Sequence, residues 1–148
     1  MYYKNILIPT DGSALSRAAI AAGIKLAKSV GAKVTGFFAA PPATPVVYKD
    51  LLPVGYMTPR EHAKTIKEAA ARYLEVIEEA AKKEGVACKC IQATSDFPAE
   101  AILQVAKKEK CDLIFISSHG RRGLAGVLLG SQTQKVVAQS KIPVLVHR

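Results

Sequence analysis

A chain of 148 residues, 49% hydrophobic and 22% charged, has the size and balance of one globular domain and not of a disordered tail. No apolar run approaches the roughly 18 residues of a membrane span, and Ile6-Leu7-Ile8-Pro9 is too short for the apolar region of a signal peptide, so no membrane partner and a cytoplasmic location are expected. The net charge of +9 raises nucleic acid as a partner, yet Lys25, Lys28, Lys64, Lys67, Lys82 and Lys83 are scattered over helical stretches. With no dense basic run and no basic–aromatic interleaving, no nucleic acid is expected, and a phosphate-bearing small ligand fits the charge at least as well.

Asn5-Ile6-Leu7-Ile8-Pro9 reads as a short buried strand ended by Thr10-Asp11-Gly12-Ser13, with Ser13 as a helix N-cap. Leu15, Ala19, Ala22, Leu26 and Val30 then recur at helical spacing, and Gly31 closes the helix before a second strand over Lys33–Ala40. Residues 41–59 hold five of the eight prolines, with Tyr48 and Tyr56 among them, and cannot form a regular element. A long helix over 60–84 follows, with Ala63, Ile66, Ala70, Tyr73, Leu74 and Ile77 expected to face inward and Gly85 as its stop. A third strand over 86–93 contains Cys88 and Cys90, two apart and so on one face. Three cysteines make an odd number, and they read as small apolar side chains.

Pro98 is placed to start a helix with Ala101, Ile102, Val105 and Ala106 as its apolar stripe. The continuous apolar run over 112–117 suits a central strand covered on both faces. A glycine-bearing loop, a helix over 131–140 and a last strand, Pro143-Val144-Leu145-Val146-His147, complete the chain. The alternation predicts a single α/β domain over 1–148, with no linker to divide it.

The stretch that carries chemistry runs from Ser117 to Ser131. It leaves a buried strand, holds Gly120, Gly123, Gly126 and Gly130, and re-enters a helix at Gly130-Ser131. Glycines let backbone N–H groups approach a ligand, and a helix N-terminus adds unpaired donors and the positive end of the macrodipole. Ser131 and Arg121 or Arg122 would be further phosphate donors. Neither a Walker A loop nor a dinucleotide Gly-x-Gly-x-x-Gly fingerprint occurs. No paired carboxylates are placed for acid–base work, and His119 has no triad partners, so it is expected to orient the loop.

This stretch resembles the Gly-x2-Gly-x9-Gly-Ser/Thr pattern of the ATP-binding universal stress proteins, matched as Ser117-x2-Gly120-x9-Gly130-Ser131 with only the first glycine replaced. Ile8-Pro9-Thr10-Asp11, Phe97-Pro98-Ala99-Glu100-Ala101-Ile102 and Lys141-Ile142-Pro143-Val144-Leu145-Val146 are also similar to that family's segments, in order along the chain. The resemblance implies an open five-stranded parallel sheet of order 3-2-1-4-5 with helices on both faces, a Rossmann-like fold. The crevice would lie between strands one and four, where the order reverses.

By the same resemblance, Pro9, Thr10 and Asp11 would border the adenine and ribose, and the main chain of Ala39 would read the adenine edge. Gly120, Gly130, Ser131 and Gln132 would contact the phosphates beside Ser117. ATP (or ADP or AMP) is the implied ligand, with Mg as its counter-ion. A homodimer is expected through the edge strand 143–147, which offers an apolar template for a second copy. A nucleotide-binding regulator, with slow ATP hydrolysis at most, is the leading expectation. The alternative is a stress-associated dimeric interaction module whose nucleotide site has decayed, which rests on Ser117.

Overall fold

The computed structural model describes residues 3–42, 59–120 and 129–148. The heart of the proline-rich stretch and the loop segment carrying Arg121, Arg122, Gly123 and Gly126 lie outside the described residues. Nine elements follow one another: β1 (Asn5–Pro9), α1 (Ala14–Val30), β2 (Lys33–Ala40), α2 (Pro59–Glu84), β3 (Cys88–Thr94), α3 (Pro98–Lys108), β4 (Leu113–Ser117), α4 (Ser131–Gln139) and β5 (Val144–His147). The strands form one parallel sheet in the order β3-β2-β1-β4-β5, as the resemblance implies. Among the described residues, no helix is long and apolar enough to cross a membrane.

The strand order dictates the layers. The chain steps outward from β1 through β2 to β3, then returns to β4 and steps the other way to β5. With right-handed crossovers, the first two helices fall on one face and the last two on the other. The period-2 alternation of β1 shows the result. Ile6 and Ile8 pack with Ile20, Ile24, Leu74 and Ile77 from α1 and α2. Leu7 between them packs with Ile102, Val105 and Val136 from α3 and α4. All five residues of β1 and of β4 are buried, because each strand is covered on both faces.

Local chemistry sets the ends of α1. The Ser13 hydroxyl accepts the Ser16 N–H at 3.1 Å, and Gly31 ends the helix in the left-handed region at φ 71°. The buried face of α1 lies about one position away from the stripe expected from sequence: Ser16, Ala19, Ile20, Gly23, Ile24 and Ala27 are buried, whereas Leu15 is 43% exposed. Ile20 and Ile24 are the large residues that draw the helix round, leaving Ala22, Leu26 and Val30 at the margin of the core. In α2, Ala70, Leu74 and Ile77 are buried with Ile66 and Tyr73 beside them, but Ala63 is exposed, a turn short of the sheet.

Three strands begin later than the sequence pattern suggests, each because of a hydrogen bond or a proline at its start. Asp112 does not join β4; its carboxylate accepts the N–H groups of Lys4 and Asn5 at 2.8 and 3.1 Å. Pro143 cannot donate to the ladder, so β5 begins at Val144, although the Pro143 carbonyl still accepts the Ile114 N–H at 3.0 Å. β3 begins at Cys88, because Val86 still donates back to Ala81 of α2 at 2.9 Å.

Candidate functional site

Two parallel strands that send their connections to opposite sides of a sheet leave a gap at their carboxyl ends. Here the gap lies between β1 and β4. It opens into a crevice of about 430 Å³, within the range of small-ligand sites. Of the residues expected at the site, Pro9, Thr10, Asp11, Ala39, Ser117, Gly120, Gly130, Ser131 and Gln132 all line it. His119 is not among the lining residues, and its ring Nδ1 lies 3.1 Å from the Ser118 hydroxyl. Arg121 and Arg122 lie outside the described residues.

The β1 side is a compact polar turn. Thr10 extends the sheet by donating its N–H to the Phe37 carbonyl at 2.8 Å. Its hydroxyl accepts the Ser16 hydroxyl at 2.8 Å and the Gly12 N–H at 3.1 Å. The Asp11 carboxylate accepts the Ser13 N–H at 2.9 Å, a local turn that holds the side chain toward the crevice.

The β4 side meets it directly. A Cβ added at Gly120 would overlap Asp11 Oδ2. Glycine there gives room to the Asp11 carboxylate as it stands and does not serve an unusual dihedral, since the positive-φ glycines among the described residues are Gly12, Gly31 and Gly85. Gly130 differs. Its backbone is extended at φ −65°, and the nearest atoms to an added Cβ stand at 3.4 Å, an ordinary contact.

Ser117, where the resemblance leads one to expect glycine, is the last residue of β4, and its φ is not positive. Its hydroxyl donates to the His119 carbonyl at 2.9 Å, and its own carbonyl accepts the Thr133 hydroxyl at 2.9 Å. The serine hydroxyl thus ties the strand end to the loop, and the main chain of the same residue ties it to α4.

The first turn of α4 faces the same space. The Gly130 N–H donates to the Ser118 carbonyl at 2.7 Å, which folds the loop's return against its start. Ser131, Gln132 and Thr133 then open the helix into the crevice. The first N–H groups of a helix have no partner within it and carry partial positive charge. No acidic residue occupies this turn. The Gln132 side chain accepts the Ala99 N–H at 3.1 Å, locking the start of α4 to that of α3.

Sequence reasoning missed several lining residues. Phe37 and Phe38 of β2, Asp96 and Pro98 before and at the start of α3, and Ile102 and Ile116 complete the walls. Ser16 was passed over because it lies inside a helix, where its hydroxyl serves the Thr10 turn. The arrangement combines an apolar wall, a carboxylate edge at Asp11 and Asp96, and an anion seat at α4. Such a site suits a planar apolar group joined through hydroxyls to a phosphate. An adenine nucleotide fits this donor set. Among the described residues no group of three or more potential metal ligands gathers, so a magnesium ion would rely on the ligand's own phosphates.

An open parallel sheet with a crevice at its switch point and a glycine-lined helix start defines a doubly wound α/β architecture, in which ligands bind at the carboxyl ends of the strands. The chain matches the model of the universal stress protein family over residues 2–148, and it belongs to that family. It is 33% identical to universal stress protein MJ0531 of Methanocaldococcus jannaschii over 97% of this chain and 81% of that protein. Among solved structures, hypothetical protein MJ0577 superposes with a TM-score of 0.77 at 27% identity, covering 99% of this chain and 96% of the other. A universal stress protein solved in complex with cAMP shares the fold with a TM-score of 0.73 at 24% identity, covering 100% and 99%.

Proposed function

We propose that this protein binds one adenine nucleotide per chain in the β1/β4 crevice, ATP with magnesium foremost, and that occupancy acts as a regulatory signal in a stress response. One observation carries the reading: Gly120 is pressed against the Asp11 carboxylate while the first turn of α4 faces the same space. Asp11, with Pro9 and Thr10, borders the nucleoside, and the Ala39 main chain meets the adenine edge. Ser117, Gly120, Gly130, Ser131 and Gln132 surround the phosphates, with Arg121 and Arg122 as further donors. That a related fold has been solved with cAMP agrees with an adenine ligand for the architecture.

Of the lining hydroxyls, those of Ser16, Ser117 and Thr133 each donate to a protein oxygen at 2.8 to 2.9 Å, so their hydrogens are already engaged. Hydrolysis, where it occurs, is slow. Assembly is part of the proposal: β5 pairs with β4 on one side, its Leu145 is 38% exposed, and a second copy would cover this edge in a homodimer.

The test is an isothermal titration of nucleotide-stripped protein with ATP and magnesium, with AMP and GTP as comparisons. Saturable binding near one site per chain, with ATP ahead of GTP, supports the reading. Absence of heat, together with no rise in melting temperature at millimolar ATP, overturns it in favour of an interaction module with a decayed site. A ligand at about 100 times its Kd adds roughly 2.7 kcal/mol to the folded state, well above detection.

A further inference from the structure

Two carboxylates line the crevice, and only one of them is engaged by the protein. Asp11 is held by the Ser13 N–H. Asp96 is exposed, and among the described residues its carboxylate has no hydrogen bond or ion pair. Its backbone, by contrast, is fixed. The Ser95 N–H donates to the Ala40 carbonyl at 2.9 Å, which ties this turn to the end of β2. The Ser95 hydroxyl accepts the Phe97 N–H at 3.0 Å and donates to the Phe97 carbonyl at 3.3 Å. The turn thus presents a carboxylate with spare acceptor capacity to the crevice.

The sheet decides which part of a ligand that carboxylate meets. α4 follows β4, whereas Asp96 follows β3 and is anchored to β2. At about 4.8 Å per strand these ends lie two to three strand spacings apart, roughly 10–14 Å. With phosphates at the start of α4, Asp96 stands at the base end, beside Ala39. The Phe37 carbonyl points toward β1, where it accepts the Thr10 N–H, and the Ala40 carbonyl points toward β3. By alternation Ala39 turns its N–H and C=O to the β1 side, beyond the point where β1 ends at Pro9. One donor and one acceptor match N1 and one amino hydrogen of adenine, and the second amino hydrogen is left over.

Resting on the nucleotide reading above, we propose that Asp96 is the base-selecting residue of the crevice: its carboxylate accepts the second hydrogen of the adenine amino group. A carboxylate accepts and does not donate, and the amino group is the exocyclic donor of adenine. A 6-oxo purine would set a lone pair against the charge. A purine with hydrogen at C6 would leave the carboxylate without its bond, the kind of loss by which a polar site rejects an incomplete ligand.

The experiment is calorimetric titration of nucleotide-stripped protein with ATP, purine riboside triphosphate and ITP, each with magnesium. Asp96→Ala should weaken ATP about tenfold, the low end for a bond to a charged group because the side chain is exposed. Purine riboside triphosphate should bind the variant as well as the wild type or better, since a negative charge has been removed beside a polyanion, and ITP should gain. Asp96→Asn, which keeps an acceptor oxygen, should fall between the two for ATP. A merely structural role would weaken all three ligands alike, and melting curves on both variants check folding. An equal change for ATP and purine riboside triphosphate in Asp96→Ala overturns the assignment of Asp96 and leaves the nucleotide site standing. Failure of the wild-type protein to bind any of the three overturns both.

Discussion

Replacing Gly120 by alanine sets a single methyl group against the Asp11 carboxylate. The added Cβ would overlap Oδ2, and the side chain cannot swing away freely because the carboxylate also accepts the Ser13 N–H at 2.9 Å. Relief of the overlap therefore breaks or stretches a charge-assisted hydrogen bond, a loss of about 1.5–3 kcal/mol. If the displaced carboxylate also loses one such bond to a ribose hydroxyl, the same range corresponds to a roughly 10- to 150-fold rise in Kd for ATP. Gly130→Ala is the matched comparison for folding, since its nearest protein atoms stand at 3.4 Å and its φ of −65° suits any residue, so that any loss of affinity there reports the ligand alone. Titration calorimetry and melting curves on both variants should give a Gly120→Ala loss of at least tenfold with a lowered melting temperature, and a Gly130→Ala melting temperature close to that of the wild type. A folded Gly120→Ala protein with wild-type affinity would refute the assignment of Asp11 and Gly120 to one ligand site. Equal melting temperatures in the two variants would refute the account of why glycine stands at 120.

Three further outcomes follow from other contacts. Gly12→Ala combines a backbone at φ 80° with a Cβ that would overlap the Tyr73 ring, itself held edge-on to Phe38 at 5.3 Å, and should cost about 2 kcal/mol or more by denaturant titration. Ser117→Gly removes the hydroxyl bond to the His119 carbonyl and loosens a strand end, costing about 1–2 kcal/mol. It should leave ATP affinity within about threefold, whereas a large gain in affinity would reveal a site that serine had disabled. The hydrogen bond and charge of Lys28, 2.9 Å away, hold the Glu84 carboxyl below its ordinary range. A group lowered in the folded state stabilises above its unfolded pKa and loses that contribution as pH falls through the folded value. Lys28→Ala should thus move the Glu84 titration upward by NMR while leaving the melting temperature at neutral pH and physiological salt unchanged, because the pair is exposed and screened.

Much of the fold was legible because its signals are local. Ser13 and Gly31 bracket α1 through bonds within a few residues, and β1, β2 and β4 are strands of five to eight residues dominated by apolar side chains. What sequence misjudged was which side of a helix faces the sheet. Leu15, Ala22 and Leu26 keep helical spacing as faithfully as Ile20 and Gly23 do. The choice falls to shape: a Cβ on Gly23 would come within 2.7 Å of Ile8 and 3.1 Å of Phe115. Only a residue without a side chain lets α1 lie that close to β1 and β4, so the buried face is set by tertiary packing that periodicity does not contain.

The crevice divides along the same line. Thr10-Asp11 and the Gly130-Ser131 helix start are read from chain segments that carry their own turn chemistry. Phe37, Asp96 and Ile102 carry no such mark; they line the space because β2 and the β3–α3 connection end on the same side of the sheet as β1 and β4. Gly120 belongs to both groups. Its place in the motif is visible in sequence, but the reason for it, contact with a carboxylate 109 positions earlier, exists only once the strands are ordered. A motif glycine that permits contact with another segment, and not a turn in its own, makes a specific demand: residue 11 must remain short and held by its own turn. Asp11→Glu should then be as damaging to ligand binding as Gly120→Ala, since one extra methylene would enter the same space from the other side.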